Sequence, residues 1–538
     1  MSPTGADALV AALEDAGVAV VFGLPGVHNL AAWEALRTSP IRLIGVRHEQ
    51  TAAYAADGHA RVTGAVGVAL VTTGPGAANT LGAVGEAWAS RSPIVVIATD
   101  VPAGLRREGV HRGMLHEVPD QAGLFRPVTK EALRVVRAED VGPVVARALT
   151  QAAAPPARPV YVEVPTDLLA AQTQTTRGQV FPVSKPDPGA ARKDLTPAVA
   201  ALADAQRPLV WAGGGAVGAS DAVAALAERL GAPIFTTYTA RGVAGDHPLA
   251  VGLPPHLPRT GALWDQADAV VAVGSDLDGM STQNWLHPRP PTLVAINVDA
   301  ADAAKNYEPD VVVEGDAALA ADLAAQVAGP REPWVDLERL RRTALADLRH
   351  DFPAELRFLD AVPPEATVFA DMCIPGYWLA GFRRVPVPRR LAYPMGWGTL
   401  GFAFPAALGA AAAQPDVPVV SVSGDGGFLF AAGELATLEQ ERLPLTAVIV
   451  DDGGYGMLRY DQDAAGRERT GVDLHTPDFA ALASAFGVRA QAVDGLDDAF
   501  EAALRAHLDD PGPSVLVARA ALEPPPTTSP RWYRRQRA

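Results

Sequence analysis

The sequence predicts an α/β protein of three domains, each a parallel β-sheet flanked by helices. The first observation is a series of short apolar runs without polar alternation, which is typical of strands buried on both faces of a parallel sheet. The second is that turn residues and then alanine- and leucine-rich helical patterns follow these runs, as crossover connections require. The third is the length of 538 residues, which favours three to four domains at roughly 150 residues each.

The predicted strands are apolar runs that end in glycine or other turn residues. Periodic segments at 221–230 and 434–440 are predicted to be crossover helices, and the arginine-rich segment 337–349 is also predicted to be helical. The predicted strands lie at 18–22, 66–71, 94–98, 160–164, 209–212, 269–273, 293–296, 419–422 and 447–450.

Two breaks in the hydrophobic pattern indicate the domain boundaries. Residues 173–194 lack periodicity and are rich in proline and glycine, and residues 329–333 form a second break. The residues near the carboxyl terminus, with three consecutive prolines and four arginines, are either a frayed end or a lid over a site. We therefore expect a first domain at 1–172, a central domain at 190–328, a third domain at 345–522 and an extended tail at 523–538.

Charge and composition exclude several classes of protein. The chain has 45 basic and 61 acidic residues, a formal net charge of −16, which excludes nucleic acid as a main partner. Its single cysteine, Cys373, excludes an intrachain disulfide and a cysteine-based metal cluster. No run approaches the roughly eighteen apolar residues of a membrane span, and residues 1–7 show no signal-peptide pattern. We expect a cytoplasmic protein with no membrane partner.

A glycine-flanked aspartate gives the sharpest functional signal. The apolar run 419–422 leads to Asp425, which lies among glycines that let backbone amides converge on a diphosphate. The next predicted strand leads to Asp452, 27 residues later, which is the length of one β-α-β unit. Two carboxylates at neighbouring strand ends suit Mg²⁺, which prefers oxygen ligands. The spacing therefore predicts a site for Mg²⁺ and a diphosphate rather than a structural turn.

This pair of motifs resembles the thiamine diphosphate signature of the acetolactate synthase, pyruvate decarboxylase and benzoylformate decarboxylase family, in which Gly-Asp-Gly precedes Asn-Asn. The resemblance implies that Asp425, the Asp452 side chain and the Gly454 carbonyl bind Mg²⁺. The chain departs from the family in having Asp451-Asp452, which adds negative charge beside the diphosphate. The cofactor-binding residues that the resemblance implies are Gly398, Leu400, Gly424, Asp425, Gly426, Gly427, Asp452, Gly454, Tyr455 and Gly456.

The family also carries a catalytic glutamate in a His-Glu-Gln motif, which here is His48-Glu49-Gln50. Thiamine chemistry needs a carbanion at C2 of the thiazolium. The cofactor's aminopyrimidine can generate it when a carboxylic acid protonates the far ring nitrogen. We expect Glu49 to be this acid. The alternative is an ordinary acidic residue at a helix N-terminus, which the helix dipole favours.

Further motifs extend the resemblance over nearly the whole chain. Segments 22–26, 72–79, 126–130 and 396–407 match the family pattern in the right order. The expected domains thus correspond to a pyrimidine-binding, a central and a diphosphate-binding domain.

The resemblance also assigns roles within the third domain and to the assembly. It implies that the Gly398 carbonyl accepts a hydrogen bond from the cofactor's exocyclic amine and that Leu400 is the wedge that bends the cofactor. It further implies a homodimer or a homotetramer, in which Glu49 of one subunit meets the metal-binding domain of another.

The central domain begins with a glycine-rich strand end. Gly213, Gly215 and Gly218 fit a dinucleotide fingerprint in part, but no acidic residue follows the next predicted strand. Members of the family keep this domain both with FAD and without it. We favour a structural role for the domain over FAD binding.

The positions expected to line a substrate pocket depart from the better-known branches of the family. Val27 and His28 follow the first glycine turn, and His116-Glu117 stands where acetolactate synthases carry Gln-Glu. Leu458 takes the place of a catalytic glutamate of pyruvate decarboxylases, which argues against simple acetaldehyde production.

Several motifs resemble instead the branch of 5-guanidino-2-oxopentanoate decarboxylases. A guanidinium substrate needs a carboxylate at the far end of the pocket, and Glu117, Asp100 and Asp371 are the candidates by position. The matching motifs lie at 25–28, 115–121, 371–372 and 394–401.

The sequence therefore predicts thiamine diphosphate- and Mg²⁺-dependent decarboxylation of a 2-oxo acid through a C2 ylid and an enamine. An acetolactate synthase-like carboligase, in which a second carbonyl captures the enamine, is the enzymatic alternative. A flavin oxidase of the pyruvate-oxidase type is a further alternative. A catalytically silent cofactor-binding paralogue is the alternative of another class, for which Asp451-Asp452 leaves room.

Overall fold

The computed structural model describes residues 2–107, 109–174 and 193–526. Within these residues seventeen strands form three sheets, and neighbouring strands in each sheet run parallel. The predicted α/β fold class is thereby confirmed. Most of the expected linker and residues 527–538 of the expected tail lie outside the described residues. No helix in the described ranges has both the length and the apolarity that crossing a membrane requires.

Six strands form the first sheet: β1 (Val20–Gly23), β2 (Arg42–Gly45), β3 (Gly67–Val71), β4 (Ile94–Asp100), β5 (Glu131–Arg134) and β6 (Val160–Pro165). Their order in the sheet is β2-β1-β3-β4-β6-β5. The accompanying helices are α1 (Gly5–Asp15), α2 (Leu30–Arg37), α3 (Glu49–Thr63), α4 (Pro75–Ala78), α5 (Leu81–Ala89), α6 (Gln121–Phe125), α7 (Val141–Ala153) and α8 (Thr166–Ala170).

Five strands form the central sheet: β7 (Pro208–Ala212), β8 (Ile234–Thr236), β9 (Ala269–Val273), β10 (Thr292–Asn297) and β11 (Val311–Glu314). Their order is β11-β10-β9-β7-β8. The helices of this part are α9 (Thr196–Leu202), α10 (Ser220–Leu230), α11 (Pro258–Gln266), α12 (Ala300–Ala304) and α13 (Leu319–Gln326).

Six strands form the third sheet: β12 (Thr367–Ala370), β13 (Leu391–Ala392), β14 (Val419–Gly424), β15 (Leu445–Asp451), β16 (Arg489–Asp494) and β17 (Ser514–Arg519). Their order is β13-β12-β14-β15-β17-β16. The helices are α14 (Leu337–Asp351), α15 (Pro353–Ala361), α16 (Ile374–Phe382), α17 (Ala403–Ala413), α18 (Asp425–Phe428), α19 (Leu435–Gln440), α20 (Gly456–Ala464), α21 (Phe479–Ala485) and α22 (Asp498–Asp509).

All nine predicted strands are present, and eight strands were missed. Six of the missed strands lie at sheet edges, where one side has no neighbouring strand and where polar residues are favoured. Strand β16, for example, alternates polar and apolar residues and is largely accessible to solvent. Strands β12 and β17 are interior strands that the prediction omitted although their residues are apolar. The hydrophobic pattern of the sequence therefore predicted the interior strands of each sheet better than the edge strands.

One hydrophobic core continues from the first sheet to the third, and helices α3 and α17 pack together at its centre. Gly58 of α3 faces the carbonyl oxygen of Ala406, and Gly409 of α17 faces that of Ala55. A Cβ atom at either glycine would collide with the opposite oxygen. The two helix backbones therefore touch, and the relative position of the two sheets depends on this contact.

We expect Gly58→Ala to destabilise the protein by about 1–3 kcal/mol, because the added methyl group must separate two packed helices. Calorimetry should show a lower midpoint of the unfolding transition. Gly82→Ala is the matched control, since Gly82 is also helical but a Cβ there meets nothing within 4 Å. The control should be neutral or stabilising by roughly 0.4–1 kcal/mol. Equal destabilisation by the two changes would contradict the close backbone contact.

Candidate active site

The two aspartates singled out in the sequence lie at the same edge of the third sheet. Asp425 begins α18 directly after β14, and Asp452 directly follows β15. These strands are parallel neighbours, with Gly424 opposite Val450 in register. Because the carboxyl ends of parallel strands meet at one edge, the chain brings both carboxylates together as the spacing predicted.

Asp425 is a buried carboxylate with one unpartnered oxygen. Its side chain is 0% exposed, and its Oδ1 accepts a hydrogen bond of 2.7 Å from the Gly426 backbone N–H. Its Oδ2 is buried without a hydrogen-bond partner. Burial and, to a smaller extent, the neighbouring carboxylates of Asp452 and Asp451 raise the pKa of Asp425 to about 7, although the Gly426 hydrogen bond opposes this shift. A buried acceptor beside further carboxylates has the donor chemistry that a divalent cation requires.

The protein supplies few side-chain ligands at this edge. Over the described ranges, no three His, Cys, Asp or Glu side chains are grouped to hold a metal ion. A cation between Asp425 and Asp452 would therefore complete its octahedral shell with backbone carbonyls, water or the oxygens of a bound anion. A diphosphate is such an anion, so the residues present fit Mg²⁺ together with a diphosphate.

Arg459 compensates the extra negative charge that Asp452 introduces. Its Nη2 lies 2.5 Å from Asp452 Oδ1 and donates a second hydrogen bond of 2.8 Å to the Asp452 carbonyl oxygen. Burial raises the pKa of Asp452, and the guanidinium of Arg459 opposes that shift. Arg459 was not predicted from the sequence, because a basic residue seven positions along the chain gives no sign of where its side chain points.

The glycines of this edge make room that side chains would fill. A Cβ at Gly426 would lie 2.5 Å from the ring of Tyr455, and a Cβ at Gly456 would collide with the Asp452 carboxylate. At Gly454 a Cβ would collide with the carbonyl of Val472. The segment around Asp452 is thus held tightly and presents backbone rather than side chains.

The loop that carries Gly398 and Leu400 leads into α17. Gly398 has a φ of 66°, which favours glycine, and Leu400 is half-buried. Beneath the loop, the buried Asp371 carboxylate accepts hydrogen bonds from the backbone N–H groups of Gly401 (2.9 Å) and Phe402 (3.3 Å). Burial raises the pKa of Asp371 to about 6 despite these bonds. Asp371 therefore holds the loop in place.

A second carboxylate reaches the same loop from the first domain. Glu86 of α5 is fully buried and accepts hydrogen bonds from the Trp397 backbone N–H (3.2 Å) and the Thr399 hydroxyl (3.4 Å). Arg61 of α3 lies 3.4 Å from Glu86 and 2.8 Å from Asp57. Sequence reasoning missed Glu86, because the residues of the loop that it binds lie some 300 positions away in the chain.

Glu49 is the first residue of α3 and lies in the interior rather than on an exposed helix end. Its side chain is 9% exposed, and its Oε2 accepts a hydrogen bond of 2.9 Å from the Asn79 side-chain amide. Its Oε1 approaches Gly76 so closely that a Cβ there would lie 3.3 Å away. An acidic residue placed at a helix N-terminus only because of the helix dipole would be exposed to solvent, whereas Glu49 is buried. Asn79 belongs to the motif at 72–79, which by itself did not predict a separate role for this residue.

The two histidines expected near a substrate lie together in the first domain. His28 Nδ1 is 2.8 Å from the Thr73 hydroxyl, and the His28 and His116 rings meet edge to face at 71° with centroids 5.4 Å apart. Burial lowers the pKa of His28, and His116 lowers it further. His116 has a φ of 65°, and its backbone lies against Gly74. The loops after β1 and β3 and the segment before α6 therefore converge.

The other substrate candidates are less closely grouped. Val27 is 61% exposed beside His28, whereas Leu458 is exposed on α20 of the third domain. The Glu117 carboxylate accepts hydrogen bonds from the backbone N–H groups of Arg112 and Met114 and so shapes its own loop.

The remaining candidates for binding a guanidinium group are also engaged within the chain. Asp100 pairs with Arg106 and lies 4.0 Å from Arg134. The Asp371 carboxylate accepts hydrogen bonds from the backbone N–H groups of Gly401 and Phe402. Asp100, Asp371 and Glu117 therefore all have protein donors already.

The central-domain glycines have a structural explanation. A Cβ at Gly213 would collide with the Gly274 carbonyl, and one at Gly215 would lie 3.0 Å from Gly274 Cα. Both glycines thus permit close approach of the segments that follow β7 and β9. This contact supports the structural interpretation of the glycine run.

We expect Arg459→Gln to destabilise the cofactor-free protein by about 1–3 kcal/mol, because it leaves the largely buried Asp452 carboxylate without its cation. The double change Asp452→Asn with Arg459→Gln should recover most of that loss. Arg469→Gln is the control, since Arg469 pairs with Asp463 at 2.7 Å in a much more exposed position, and this variant should lose little stability. Calorimetric midpoints of all variants measure the effects, and additive losses in the double variant would contradict the coupling.

Three family models cover most of the chain. Residues 3–124 match the N-terminal TPP binding domain of thiamine pyrophosphate enzymes, residues 195–323 the central domain and residues 373–518 the C-terminal TPP binding domain.

Curated relatives match over nearly their whole length. A probable 2-ketoarginine decarboxylase of Pseudomonas aeruginosa is 35% identical over 532 residues, covering 96% of this chain and 94% of the relative. A probable acetolactate synthase large subunit of Methanocaldococcus jannaschii is 31% identical over 525 residues, covering 92% and 88%. An acetolactate synthase of Bacillus subtilis is 30% identical over 534 residues, covering 95% and 92%. The chain therefore belongs to the thiamine pyrophosphate enzyme family.

Proposed function

We propose that this protein is a thiamine diphosphate- and Mg²⁺-dependent decarboxylase of a 2-oxo acid. The observation that carries the proposal is the buried, unpartnered Asp425 oxygen beside Asp452 at the glycine-lined edge of the third sheet. An unpartnered buried carboxylate oxygen is unfavourable by itself and is satisfied by a cation. Membership of the thiamine pyrophosphate enzyme family supplies the anion that such a cation would bridge.

Residues of the third domain would hold the cofactor and its metal ion. Asp425, Asp452 and the Gly454 carbonyl would bind Mg²⁺, and the Gly398 carbonyl and Leu400 would contact the organic part of the cofactor. Bound thiamine diphosphate supplies a sink for the electron pair that remains when CO₂ leaves the substrate. The residues that would line the diphosphate are Gly424, Gly426, Gly427, Tyr455 and Gly456.

Glu49 would hold a proton against the far ring nitrogen of the cofactor's aminopyrimidine. Its burial and its hydrogen bond to Asn79 support this role, because a carboxyl group shielded from water exchanges a proton with its bound partner rather than with solvent. His28 and His116 would face the substrate, since they lie together at the same end of the first sheet.

We also propose that the site forms between two copies of the chain. Large apolar side chains are exposed beside the segments assigned to the cofactor and substrate, as expected for a surface that another subunit covers. The assembly would be a homodimer or a homotetramer, with Glu49 of one copy meeting the Asp425 edge of another. The exposed apolar residues are Val27, Trp397, Leu429, Phe430 and Leu458.

A 2-oxo acid with a guanidinium side chain is the substrate that we favour, because the relative with 35% identity is described as a probable 2-ketoarginine decarboxylase. Acetolactate-type carboligation of pyruvate is the second candidate, supported by the relatives at 31% and 30% identity. The arrangement of Glu49 and Asp425 argues against the catalytically silent alternative. We favour a structural role for the central domain over FAD binding, because Gly213 and Gly215 permit close approach of backbone segments there.

CO₂ release from 5-guanidino-2-oxopentanoate and from pyruvate, measured in parallel with thiamine diphosphate and Mg²⁺, tests this proposal. We expect release from the guanidino acid and little from pyruvate. Glu49→Gln should reduce turnover by about 10²–10⁴-fold, because an amide cannot give or take the proton of the cofactor's ring nitrogen. The midpoint of thermal unfolding should remain unchanged in this variant. Release from pyruvate alone with an acetoin-type product would favour the carboligase, and a fully active Glu49→Gln would remove the role of Glu49.

Mg²⁺ should raise the unfolding midpoint of the protein, because a cation that binds only the folded chain stabilises it. Asp425→Asn should abolish this rise and leave the metal-free protein at least as stable, since it removes one of the adjacent carboxylates. Asp463→Asn changes an exposed acid on α20 and should leave the response to Mg²⁺ intact. Differential scanning fluorimetry with and without Mg²⁺ measures both effects, and an Asp425→Asn protein that responds like wild type would contradict the metal site.

A further inference from the structure

A buried carboxylate of the third domain binds the backbone immediately before Glu49 of the same chain. Glu434 is 1% exposed and lies between α18 and α19. Its Oε1 accepts hydrogen bonds from the backbone N–H groups of Arg47 (2.9 Å) and His48 (3.0 Å). Its Oε2 accepts a hydrogen bond of 2.6 Å from the Thr437 hydroxyl. Glu434, a residue of the third domain, therefore binds the backbone of a turn in the first domain.

The turn that Glu434 holds is the one that sets the start of α3. His48 is the N-cap of that helix, and its side chain accepts from the Gln50 backbone N–H at 3.2 Å. Glu49 follows as the first helical residue. Fixing the backbone of Arg47 and His48 therefore fixes the point from which the Glu49 side chain projects.

The chemistry of the contact suits positioning rather than charge pairing. Over the described part of the chain, no lysine, arginine or histidine forms an ion pair with Glu434, whose acceptor oxygens face two backbone N–H groups and the hydroxyls of Thr437 and Thr51. Burial raises the pKa of Glu434, and these hydrogen bonds oppose the shift. Two N–H groups on one carboxylate oxygen define both the distance and the direction of the turn, which a mobile surface pair does not.

Two neighbouring side-chain contacts also join the first and third domains, but they do not involve the backbone N–H groups of Arg47 and His48. Arg42 pairs with Glu441 at 3.2 Å, and the Arg47 guanidinium donates to the Gln440 side chain at 2.7 Å. These contacts hold the domains together through flexible side chains. Glu441 therefore offers a matched control, because it is an acid of the same interface that leaves Arg47 and His48 N–H groups untouched.

We propose that Glu434 is a positioning residue for Glu49, which it holds in place across the domain boundary by binding the Arg47–His48 backbone. The proposal rests on the function proposed for Glu49. A displacement of about 1 Å in a reacting group can lower turnover by about 10²-fold. Loss of Glu434 should therefore lower kcat and leave the KM values nearly unchanged.

Three variants test the proposal: Glu434→Ala, Glu434→Gln and the control Glu441→Ala. The glutamine oxygen can still accept hydrogen bonds from both backbone N–H groups, and the glutamine NH₂ group can donate to the Thr437 hydroxyl. Glu434→Gln should therefore keep turnover within about tenfold of wild type. Glu434→Ala should lower kcat by about 10²-fold, with KM for substrate and cofactor within about threefold. Glu441→Ala should leave kcat unchanged.

Hydrogen exchange gives a readout that does not depend on activity. In the cofactor-free protein, the amides of Arg47 and His48 should exchange at least about tenfold faster in Glu434→Ala than in wild type, because each loses its acceptor. They should be unchanged in Glu441→Ala. Mass spectrometry of overlapping peptides that begin several residues before Arg47 and end after His48 measures the rates.

The outcomes separate this proposal from the proposed function. Unchanged exchange at Arg47 and His48 in Glu434→Ala, or a wild-type kcat in that variant, would overturn the positioning role. An equal loss of kcat in Glu434→Gln and Glu434→Ala would also overturn it, since the acceptor geometry would then be irrelevant. Absence of CO₂ release by the wild-type protein from either substrate would instead overturn the proposed function, and the exchange rates would still decide the contact.

Discussion

Helices α3 and α17 touch through their backbones, because glycine and alanine occupy both sides of the contact. This contact fixes the first sheet against the third. Glu49 begins one of these helices, and the loop with Gly398 and Leu400 leads into the other. Two rigid elements therefore set the starting points of both segments to which we assign cofactor chemistry. Larger side chains at the crossing would move these segments relative to each other.

Buried carboxylates fix the same two segments from opposite directions. Glu434 reaches from the third domain to the turn before Glu49, and Glu86 reaches from the first domain to the loop around Gly398. A carboxylate without water around it needs strong donors, and backbone N–H groups provide them in both places. In the proposed assembly the segment from Asp425 to Glu434 would join the metal ligand of one site to the turn that carries the acid of another.

The carboxyl ends of β14 and β15 carry more acidic side chains than the neighbouring basic side chains neutralise. Asp452 is close enough to Asp425 to raise the pKa of Asp425, and Arg459 pairs with Asp452 and Asp473 rather than with Asp425. The repulsion that remains favours a cation at this edge, in agreement with the proposed Mg²⁺ site. Arg459 thus offsets the charge of the aspartate at a position where the thiamine diphosphate signature that the sequence resembles has asparagine.

The sequence by itself determined the fold class, the strands at the centre of each sheet and the meeting of Asp425 with Asp452. These features depend on local periodicity and on the length of one β-α-β unit, which the order of residues records directly. The edge strands, the Arg459 partner of Asp452 and the burial of Glu49 against Asn79 depend on neighbours that sequence spacing does not reveal. The contacts of Glu86 and Glu434 join residues more than 300 positions apart, so only the tertiary structure, through the packing of α3 on α17, decided which backbone they hold.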